Sequence, residues 1–530
     1  MRYIPWGLCG LLVPAGYLVA SVNGFWGAVI ALLGLVLFGT GLHDLTQSKS
    51  AVLKNYPLTA RIRFLLENFR PEIRQYFIES DQDKTPFSRE QRALVYRRAK
   101  GLDGLRPFGT LHDVEAIGHE WLNHSICPKK LASQDFRVRI GGPDCTKPYD
   151  ASVLNISGMS YGALSPNAIE ALNRGAKLGG FAHTTGEGSI SRFHRIWGGD
   201  LVWQIGSGYF GARNPDGSFS PENFAANATD DQVRMIELKL SQGAKPGHGG
   251  ILPGLKVTEA IAEARGVAVG QDCISPSSHS AFSTPVELCR FIAELRRLSG
   301  GKPVGLKFCM GHPWEWFALA KAMRETNITP DFITVDGAEG GTGAAPAEFA
   351  DHFGAPLREG LMLVHNTLVG LGLRDRIRLV ASGKLISAFD ICRMFALGAD
   401  ACNMARGFMF AIGCIQAQTC HTGHCPTGVT TQDPGRYRAL VVEDKYLRTA
   451  SFHANTLHVL KEAVEAAGLT HPSEFTPHDL MIRISSREVR SAASQYLWLE
   501  KGELLAGSPK HPAFRKFWDI ARTDSFAPAA

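Results

Sequence analysis

Ile377-Arg-Leu-Val-Ala-Ser-Gly-Lys384 is an apolar run that ends in a glycine loop, and Ala401-Cys-Asn-Met-Ala-Arg-Gly407 repeats this pattern. A helical stretch over 387–397 lies between them. An apolar run, a loop, a helix and a second apolar run are typical of two parallel strands joined by a crossover helix. The loops Ser382-Gly383-Lys384 and Ala405-Arg406-Gly407 follow the two strands, where barrels commonly bind a phosphate through backbone N–H groups.

The same alternation extends over the middle of the chain. Further apolar runs, most of them followed by a loop and a helical stretch, occupy 153–156, 181–184, 235–240, 267–274, 303–308 and 332–335. With 377–380 and 401–404 the predicted strands number eight, so we predict an α/β protein built on a (β/α)8 TIM barrel. A doubly wound open sheet is the alternative, but Ser157-Gly-Met-Ser-Tyr-Gly162 lacks the G-x-G-x-x-G spacing that such a sheet favours after its first strand.

The composition excludes several classes of protein. The 530 residues are 45% hydrophobic and 20% charged, with 56 Gly and 28 Pro, which argues against a disordered or collagen-like chain. A formal net charge of +6 is too mild for a dedicated nucleic-acid binder, so no nucleic-acid partner is expected. The 11 Cys have no spacing that suggests a disulfide framework, which indicates a reducing compartment.

Two apolar runs at the N-terminus, 4–22 and 25–42, each approach the ~20 residues that span a bilayer. Asn23-Gly24 separates them. Arg2 precedes the first run and a Lys/Arg cluster over 49–74 follows the second, whereas the turn carries no charge. The positive-inside rule therefore predicts a two-helix transmembrane hairpin in the inner membrane, with the catalytic domain facing the cytoplasm. A cleaved signal peptide is the alternative, but no clear small-residue cleavage site follows the first run.

We divide the chain into four parts on these patterns. They are a transmembrane hairpin (1–45), a helical or irregular connecting region (46–150), the barrel (151–435) and a helical C-terminal extension (436–530).

Three cysteines follow the last predicted strand in Cys414-Ile-Gln-Ala-Gln-Thr-Cys420-His-Thr-Gly-His-Cys425-Pro426. Thiolates are soft ligands, and a loop can place three of them around one face of an iron-sulfur cluster. His421 and His424 raise zinc as an alternative, but the spacing fits neither a zinc finger nor a zinc ribbon.

Charged residues stand at or near the ends of several predicted strands. Lys307 interrupts an apolar strand, and a buried lysine needs an anionic partner. Glu187 lies between two glycines, while Lys239 and Lys245 place two cations around another strand. Together they offer cations for a dicarboxylic acid and a carboxylate for its amine. A salt-bridged rim is the alternative for any one of them.

A set of motifs in this order resembles the flavin domain of glutamate synthase, over roughly 152–432, about half the chain. The motifs are Gly158-Met-Ser-Tyr-Gly162, Thr185-Gly-Glu-Gly188, Gly243-Ala-Lys-Pro-Gly247, Leu252-Pro-Gly254, Ile274-Ser-Pro276, Asp336-Gly337 with Gly340-Gly-Thr-Gly343, and Cys414 to Gly428. The resemblance implies a (β/α)8 barrel that holds FMN and a 3Fe-4S cluster. It also implies an oxidoreductase acting on CH-NH2 donors, which reduces 2-iminoglutarate, formed from 2-oxoglutarate and ammonia, to glutamate or runs the reverse oxidation.

The resemblance also implies roles for individual residues. Cys414, Cys420 and Cys425 match the cluster ligands. Glu187, Lys239, Lys245 and Arg265 match the residues around the 2-oxo acid, where cations would fix carboxylates and Glu187 would hold the imine nitrogen. The residues expected to bind FMN are Ser157, Gly158, Met159, Ser160, Lys307, Gly340, Gly341, Ser382, Gly383, Lys384, Ala405, Arg406 and Gly407.

Four positions depart from the family pattern. His248 replaces a Glu, Ile251 a substrate-contacting Gln, Ala281 an Asp, and Lys384 the second glycine of the phosphate loop. An apolar side chain cannot replace a hydrogen bond to the substrate, which leaves room for a related imino or oxo acid. Lys384 could instead add charge for the FMN phosphate.

The sequence shows neither the N-terminal Cys nucleophile of a glutaminase domain nor a Rossmann fingerprint for NADPH. Ammonia and electrons are therefore expected from outside, the electrons from a ferredoxin, a reductase subunit or a quinone pool. Two rival hypotheses remain open. One is another FMN barrel enzyme of the 2-hydroxy-acid oxidase or isopentenyl diphosphate isomerase type, which needs no cysteine triad. The other is a non-catalytic flavin/iron-sulfur electron-transfer subunit, suggested by Ile251 and Ala281.

Overall fold

A computed structural model describes residues 2–83, 86–102, 104–105, 107–252, 254, 257–507, 509 and 511–529. The chain forms two units, 1–89 and 90–530. Each unit is described by itself.

The first unit is helical. It contains α1 (Ile4–Ala20), α2 (Gly24–Thr46), α3 (Ala51–Asn55) and α4 (Thr59–Ile73), which continues as a π-helix over Arg74–Ile78. The Asn23 side chain caps α2 by accepting a hydrogen bond from the backbone N–H of Trp26. A short turn between two long apolar helices brings α1 and α2 together as an antiparallel pair.

Glycines on α2 set the distance between the two helices. A Cβ atom at Gly27 would lie 2.4 Å from the backbone nitrogen of Ala20, and one at Gly41 would lie 2.0 Å from the ring of Trp6. Gly27, Gly34 and Gly41 recur every seventh residue, so they form one stripe along the contact. Small residues in such a stripe allow the close backbone approach that is common between helices in membranes.

The outer faces of the hairpin are apolar and exposed, with Leu11, Leu18 and Leu32 each more than 60% accessible. Among the described residues α2 is the one helix long and apolar enough to cross a membrane, by length and composition alone. α1 is a shorter apolar helix of 17 residues. The two helices thus lie where the sequence predicts them, and their insertion into a membrane stays a prediction.

The second unit contains the strands. In chain order they are β1 (Glu120–Leu122), β2 (Arg137–Ile140), β3 (Tyr149–Ser152), β4 (Leu154–Ile156), β5 (His183–Thr184), β6 (Leu201–Ile205), β7 (Val233–Lys239), β8 (Gly250–Leu252), β9 (Cys273–Ser275), β10 (Val304–Phe308), β11 (Phe332–Asp336), β12 (Arg378–Ser382), β13 (Ala401–Met404), β14 (Leu480–Arg483) and β15 (Val489–Ser491).

Eight of these strands close a parallel barrel in the order β4-β5-β6-β7-β10-β11-β12-β13. The predicted TIM barrel is therefore confirmed. One predicted strand was wrong, however: 267–274 lies outside the barrel, and β6 takes its place. Gly266 and Gly270 adopt positive φ and break that run, and its end pairs antiparallel with β8 in a separate two-stranded sheet. β6 instead pairs with both β5 and β7.

Helices surround and extend the barrel. From residue 89 onward they are α5 (Arg89–Ala99), α6 (Pro166–Gly179), α7 (Arg192–Arg195), α8 (Pro221–Ala228), α9 (Glu259–Arg265), α10 (Pro285–Leu298), α11 (Pro313–Thr326), α12 (Ala347–Ala350), α13 (Leu357–Gly370), α14 (Ala388–Ala396), α15 (Arg406–Ala411), α16 (Pro434–Tyr437), α17 (Val442–Ala466), α18 (Ala492–Gln495) and α19 (Pro512–Trp518). Short polar caps begin several of them: Ser165 caps α6, while Thr284 with Glu287 and Ser387 with Asp390 form capping boxes.

The amino end of the barrel is closed by an apolar layer. The β2–β3 hairpin contributes Ile140 and Ala151, which pack with inward-facing side chains of the strands such as Val202, Met235 and Phe332. Gly305 leaves room for the ring of Phe332, because a Cβ atom there would lie 2.5 Å from the ring. The floor of the barrel is thus apolar, and the inward-facing positions above it carry the polar groups.

The C-terminal region, predicted to be helical, contains strands as well. β14 pairs with β15 and with β1. One antiparallel sheet therefore combines a strand that precedes the barrel in the chain with two strands that follow it. α17 packs along α6, and α19 packs against α11.

Candidate active site

A buried carboxylate occupies the middle of the barrel. Glu237 on β7 is 1% exposed. Its Oε2 accepts a hydrogen bond of 2.5 Å from the Gln204 amide on β6, and its Oε1 accepts one of 2.6 Å from the Thr334 hydroxyl on β11. Both carboxylate oxygens are therefore satisfied, as a buried charge requires. This layer fixes the spacing of three strands directly below the mouth.

A second carboxylate, Asp336 at the end of β11, joins the strands at the mouth itself. Its Oδ1 accepts a hydrogen bond of 2.8 Å from the hydroxyl of Ser382 on β12. Its Oδ2 accepts one of 2.9 Å from the backbone N–H of Gly243 and lies 3.8 Å from the Nζ of Lys307 on β10. The Ser157 hydroxyl after β4 lies 3.3 Å from that of Ser382. The structure thus brings Ser157, Lys307 and Ser382 together.

An ion pair lies beside this network. The Nζ of Lys239 at the end of β7 is 3.0 Å from the Oε1 of Glu187, in the loop after β5. It also donates a hydrogen bond of 2.6 Å to the side-chain oxygen of Gln242. Glu187, Lys239, Lys245 and His248 line one cavity with about 350 Å³ of open space. Two cations and one carboxylate therefore face the same cavity.

Charges around the cavity decide the protonation of its groups. Burial by itself raises the pKa of Glu187, but Lys239, Lys245 and Arg265 outweigh this effect and hold that pKa below its usual value. Burial also lowers the pKa of Lys245, although Glu187 opposes the change. At neutral pH Glu187 is therefore ionised.

His279 supports the end of β7 from behind. Its Nε2 lies 2.8 Å from the carbonyl oxygen of Lys239, and its Nδ1 lies 3.1 Å from the hydroxyl of Tyr209. Burial lowers the pKa of His279, so its imidazole is neutral at pH 7. A neutral ring that donates from Nε2 and accepts at Nδ1 satisfies both contacts. The Tyr209 hydroxyl in turn accepts a hydrogen bond from the backbone N–H of Ala281.

Arg265, predicted to lie around the oxo acid, is close to the loop that carries Glu187. It ends α9 and is 8% exposed, and its Nη2 donates a hydrogen bond of 3.1 Å to the carbonyl oxygen of Tyr161. Its guanidinium carbon lies 5.1 Å from the ring centroid of Phe210. Arg265 therefore lies behind the loops of the cavity rather than among its lining residues. It acts on Glu187 through charge and holds the Tyr161 loop in place.

The loop after β4 is packed tightly between its neighbours. A Cβ atom at Gly158 would lie 2.9 Å from the Gln204 amide, and one at Gly186 would lie 2.5 Å from the backbone nitrogen of Ser160. The Ser160 hydroxyl accepts a hydrogen bond of 3.2 Å from the N–H of Gly188. Met159 lies between Gly158 and Ser160 in this loop. The loop that contains Glu187 is thus tied to the predicted cofactor loop.

The two glycine loops flank the opposite side of the mouth. Gly383 has φ +146° and Lys384 has φ +53°, so Lys384 adopts the left-handed conformation that glycine adopts most readily. Arg406 at the start of α15, between Ala405 and Gly407, donates a hydrogen bond of 2.7 Å from its Nη2 to the carbonyl oxygen of Glu339. Burial lowers the pKa of Arg406 to about 10.

The glycines predicted to bind FMN after β11 contact these groups. A Cβ atom at Gly341 would lie 3.0 Å from the Nε of Arg406, and one at Gly340 would lie 2.9 Å from the carbonyl oxygen of Gly337. The chain after β11 is thus tightly folded beside the guanidinium.

The three cysteines line a second cavity, of about 250 Å³. Cys414, Cys420 and Cys425 all face it, whereas His421 and His424 are not among its lining residues. Gln416 and Gln418 have φ of +61° and +58°, so the loop is held in a strained conformation. Within the described ranges no three His, Cys, Asp or Glu side chains converge closely enough to hold a single metal ion.

Two of the thiols are in unlike environments. Burial raises the pKa of Cys414 to about 12. For Cys425 burial acts in the same direction, but hydrogen bonds from Thr430 and Thr427 outweigh it and lower its pKa. Its sulfur lies 3.6 Å from the Thr427 hydroxyl.

Several residues of this site were not predicted from the sequence. Gln204 was missed because its strand was not predicted, and Thr334 and His279 carry no motif of their own. The alternation of polar and apolar residues along β6, β7 and β11 is the signal that could have found Gln204 and Thr334, since every second residue of a barrel strand points inward.

Sequence comparison identifies relatives of this chain. A family profile described as a conserved region in glutamate synthase matches residues 144–470, more than half of the chain. This chain belongs to the glutamate synthase family. The glutamate synthase large subunit-like protein YerD of Bacillus subtilis (strain 168) is 36% identical over 507 residues, which cover 88% of this chain and 95% of YerD.

Other members of the glutamate synthase family match the barrel region more narrowly. The archaeal-type glutamate synthase (NADPH) of Thermotoga sp. (strain RQ2) is 35% identical over 314 residues, 59% of this chain and 59% of that protein. The glutamate synthase (NADPH) large chain of Bacillus subtilis (strain 168) is 34% identical over 282 residues, 52% of this chain and 17% of that protein. This chain therefore spans only part of these two relatives.

Replacing Lys239 with Met tests the electrostatic balance of the cavity. We expect the pKa of Glu187 to rise, because its burial is then opposed only by Lys245 and Arg265. A lowered pKa gives stability above the usual value of 4.5, which is lost as pH falls through the folded value. The Lys239→Met variant should therefore have a Tm about 2–4 °C below that of the unmodified protein at pH 7, and this difference should shrink as pH falls below 4.5 and Glu187 becomes protonated in both proteins.

Lys501→Met is the matched control, because it removes an ion pair with Asp375 of 2.6 Å whose side chains are 73% and 76% exposed. Solvent screens such a pair, so the Tm of Lys501→Met should equal that of the unmodified protein at every pH. If both variants gave the same Tm profile, the Glu187–Lys239 pair would have no special electrostatic role.

Proposed function

We propose that this member of the glutamate synthase family is an FMN-dependent oxidoreductase that interconverts an imino acid and its amino acid, with 2-iminoglutarate and glutamate as the first candidates. The observation that supports this most is the convergence of Glu187, Lys239 and Lys245 on one cavity beside the Asp336 network. Two cations and a carboxylate suit a substrate that carries carboxylates and one nitrogen.

The residues at the mouth fit FMN by their chemistry. Lys307 is a buried cation, and Arg406 and Lys384 place positive charge beside the tightly folded chain at Gly340, Gly341 and Gly383. Cations and close backbone approach are what a flavin phosphate needs. Bound there, FMN would supply hydride transfer.

The protein's own groups would then position the substrate. Lys239 and Lys245 would bind carboxylate oxygens, while ionised Glu187 would accept a hydrogen bond from the imine or amine nitrogen. Reduction of the imine requires a hydride and a proton. Burial lowers the pKa of Lys245, so Lys245 can give this proton more readily than an exposed lysine. His248, which lines the cavity, would set which substrate side chain the cavity accepts.

The cysteine cavity fits an iron-sulfur cluster, for which 3Fe-4S is our proposal. Three thiols line one cavity, and thiolates are the ligands that such clusters take. A cluster there would supply one-electron transfer. The donor of those electrons would be a ferredoxin, a reductase subunit or a quinone pool.

The location we propose is the inner membrane, with the hairpin α1–α2 inserted and the barrel in the cytoplasm. The apolar, exposed outer faces of the hairpin and its glycine stripe support insertion. Positive residues follow α2 whereas the turn between the helices has no charge, which supports the orientation.

Turnover with 2-oxoglutarate, ammonium and a reduced viologen tests the reaction. We expect anaerobically purified protein to show a flavin spectrum, and its reduced flavin to be reoxidised as glutamate forms. Glu187→Gln should slow this step roughly 100-fold or more, because a neutral amide binds the nitrogen less well. Glu294→Gln, which changes a surface pair with Arg297 on α10, should not.

Reoxidation by another imino acid, but not by this mixture, would reassign the substrate. If no oxo or imino acid reoxidised the reduced flavin, an electron-transfer subunit would be favoured. Reduction of the oxidised flavin by a 2-hydroxy acid, or reoxidation of the reduced flavin by a 2-oxo acid without ammonium, would favour the 2-hydroxy-acid oxidase type.

Lys307→Met tests the cofactor site. Loss of the ammonium should weaken FMN binding roughly 10- to 100-fold, measured as retained FMN per chain after dialysis. Lys302→Met is the matched control at the other end of β10: Lys302 is also buried and donates to the carbonyl oxygens of Ala228 and Asp230. It should lower stability and leave FMN affinity unchanged. Equal FMN loss in both variants would argue against a cofactor contact at Lys307.

Cys420→Ser tests the cluster. Iron and acid-labile sulfide per chain should fall to background in this variant, because a hydroxyl is a poor ligand for iron-sulfur clusters. Cys127→Ser changes an exposed cysteine outside the cavity and should keep the metal content of the unmodified protein. Unmodified protein without iron after anaerobic purification would remove the cluster from the proposal.

A further inference from the structure

One face of α4 consists of exposed apolar side chains. Its members recur at helical spacing, so they lie within an arc of about 100° around the helix. Their exposed fractions run from 38% to 60%, and they are Ile62, Leu65, Leu66, Phe69 and Ile73. A helix of a soluble protein normally buries such a face, so this apolar face requires a partner.

Cations border the apolar face. Arg63, Arg70 and Arg74 follow one side of it along the chain. Arg63 forms an exposed ion pair of 2.9 Å with Glu67. In the part of the chain that the structure describes, Arg70 and Arg74 have no carboxylate within 4.0 Å. This side of the face is thus positively charged and open to an anionic partner, whereas Glu72 lies beside the other side.

An ion pair fixes α4 to the end of α2. Arg61 donates two hydrogen bonds to Asp44, of 2.9 Å from Nε and 2.6 Å from Nη2. The same carboxylate accepts a hydrogen bond of 3.1 Å from the backbone N–H of Leu58. Asp44 is fully buried although it lies near the C-terminus of α2. α4 therefore starts at the end of the hairpin that carries the positive residues.

We infer that α4 lies in the headgroup layer of an anionic bilayer, with its apolar face against the acyl chains and its arginines on lipid phosphates. A helix with an apolar face and a basic border is what such an interfacial position requires. The apolar face belongs to the same unit as the lipid-facing surface of the hairpin. This inference rests on the proposed insertion of α1 and α2.

A second copy of the chain fits the same face less well. Antiparallel packing of two such faces would bring Arg70 and Arg74 of both copies together, and like charges without carboxylate partners repel. Anionic headgroups instead satisfy each arginine. The charge of the border therefore decides in favour of lipid.

Hydrogen exchange of the full-length holoprotein in lipid nanodiscs tests the inference. We expect amides of α4 to exchange roughly tenfold more slowly in discs of phosphatidylcholine with phosphatidylglycerol than in phosphatidylcholine alone. Phe69→Glu should abolish this protection, because it places a carboxylate in the apolar face. Phe64→Glu is the matched control on the opposite side of α4 and should keep it. The double variant Arg70→Gln, Arg74→Gln should lose the dependence on phosphatidylglycerol.

The outcomes separate this inference from the anchor on which it rests. Slow exchange over α1 and α2 with fast exchange over α4 in both lipids would overturn the inference and leave the anchor standing. Fast exchange over α1 and α2, with release of the protein from membranes by alkaline carbonate, would overturn both. If the protection of α4 rose with the number of chains per disc and not with the content of anionic lipid, the partner of the apolar face would be a second copy of the chain and not lipid.

Discussion

The Asp336 carboxylate joins four parts of the barrel mouth, and the geometry of the candidate site depends on it. Burying an ionised carboxylate costs several kcal/mol unless opposite charge and hydrogen bonds compensate for it. Here Lys307, Ser382 and the backbone N–H of Gly243 supply both. The close approach admits only glycine at 243, since a Cβ atom there would lie 1.7 Å from the carbonyl oxygen of Gly337.

The cost of burying an unpaired charge also explains why most of the charged groups of the site are paired within the protein. Glu237 satisfies its two oxygens within the barrel, and Asp336 does so at the mouth, so neither faces the cavity as an unpaired charge. Glu187 and Lys239 remain for a ligand to engage. Groups that hold the strands together are thereby separated from groups that can bind a substrate.

The two units of the chain solve different solvation problems. The barrel hides an apolar floor from water and gathers its polar groups above it. The hairpin presents apolar side chains outward and packs through glycines. At the end of the hairpin, the buried carboxylate of Asp44 is paired with the guanidinium of Arg61, because a buried charge needs an opposite charge beside it.

The sequence by itself determined the barrel class, most of its strands and the two N-terminal helices, because hydrophobic periodicity and glycine loops are local properties. Tertiary structure alone decided that β6 and not 267–274 enters the barrel. That choice depends on pairing with distant strands, and on two glycines with positive φ in a run that reads as apolar. It also placed Arg265 behind the cavity and joined Gln204, Glu237 and Thr334. Such contacts follow from strand register across the barrel, which no local pattern encodes.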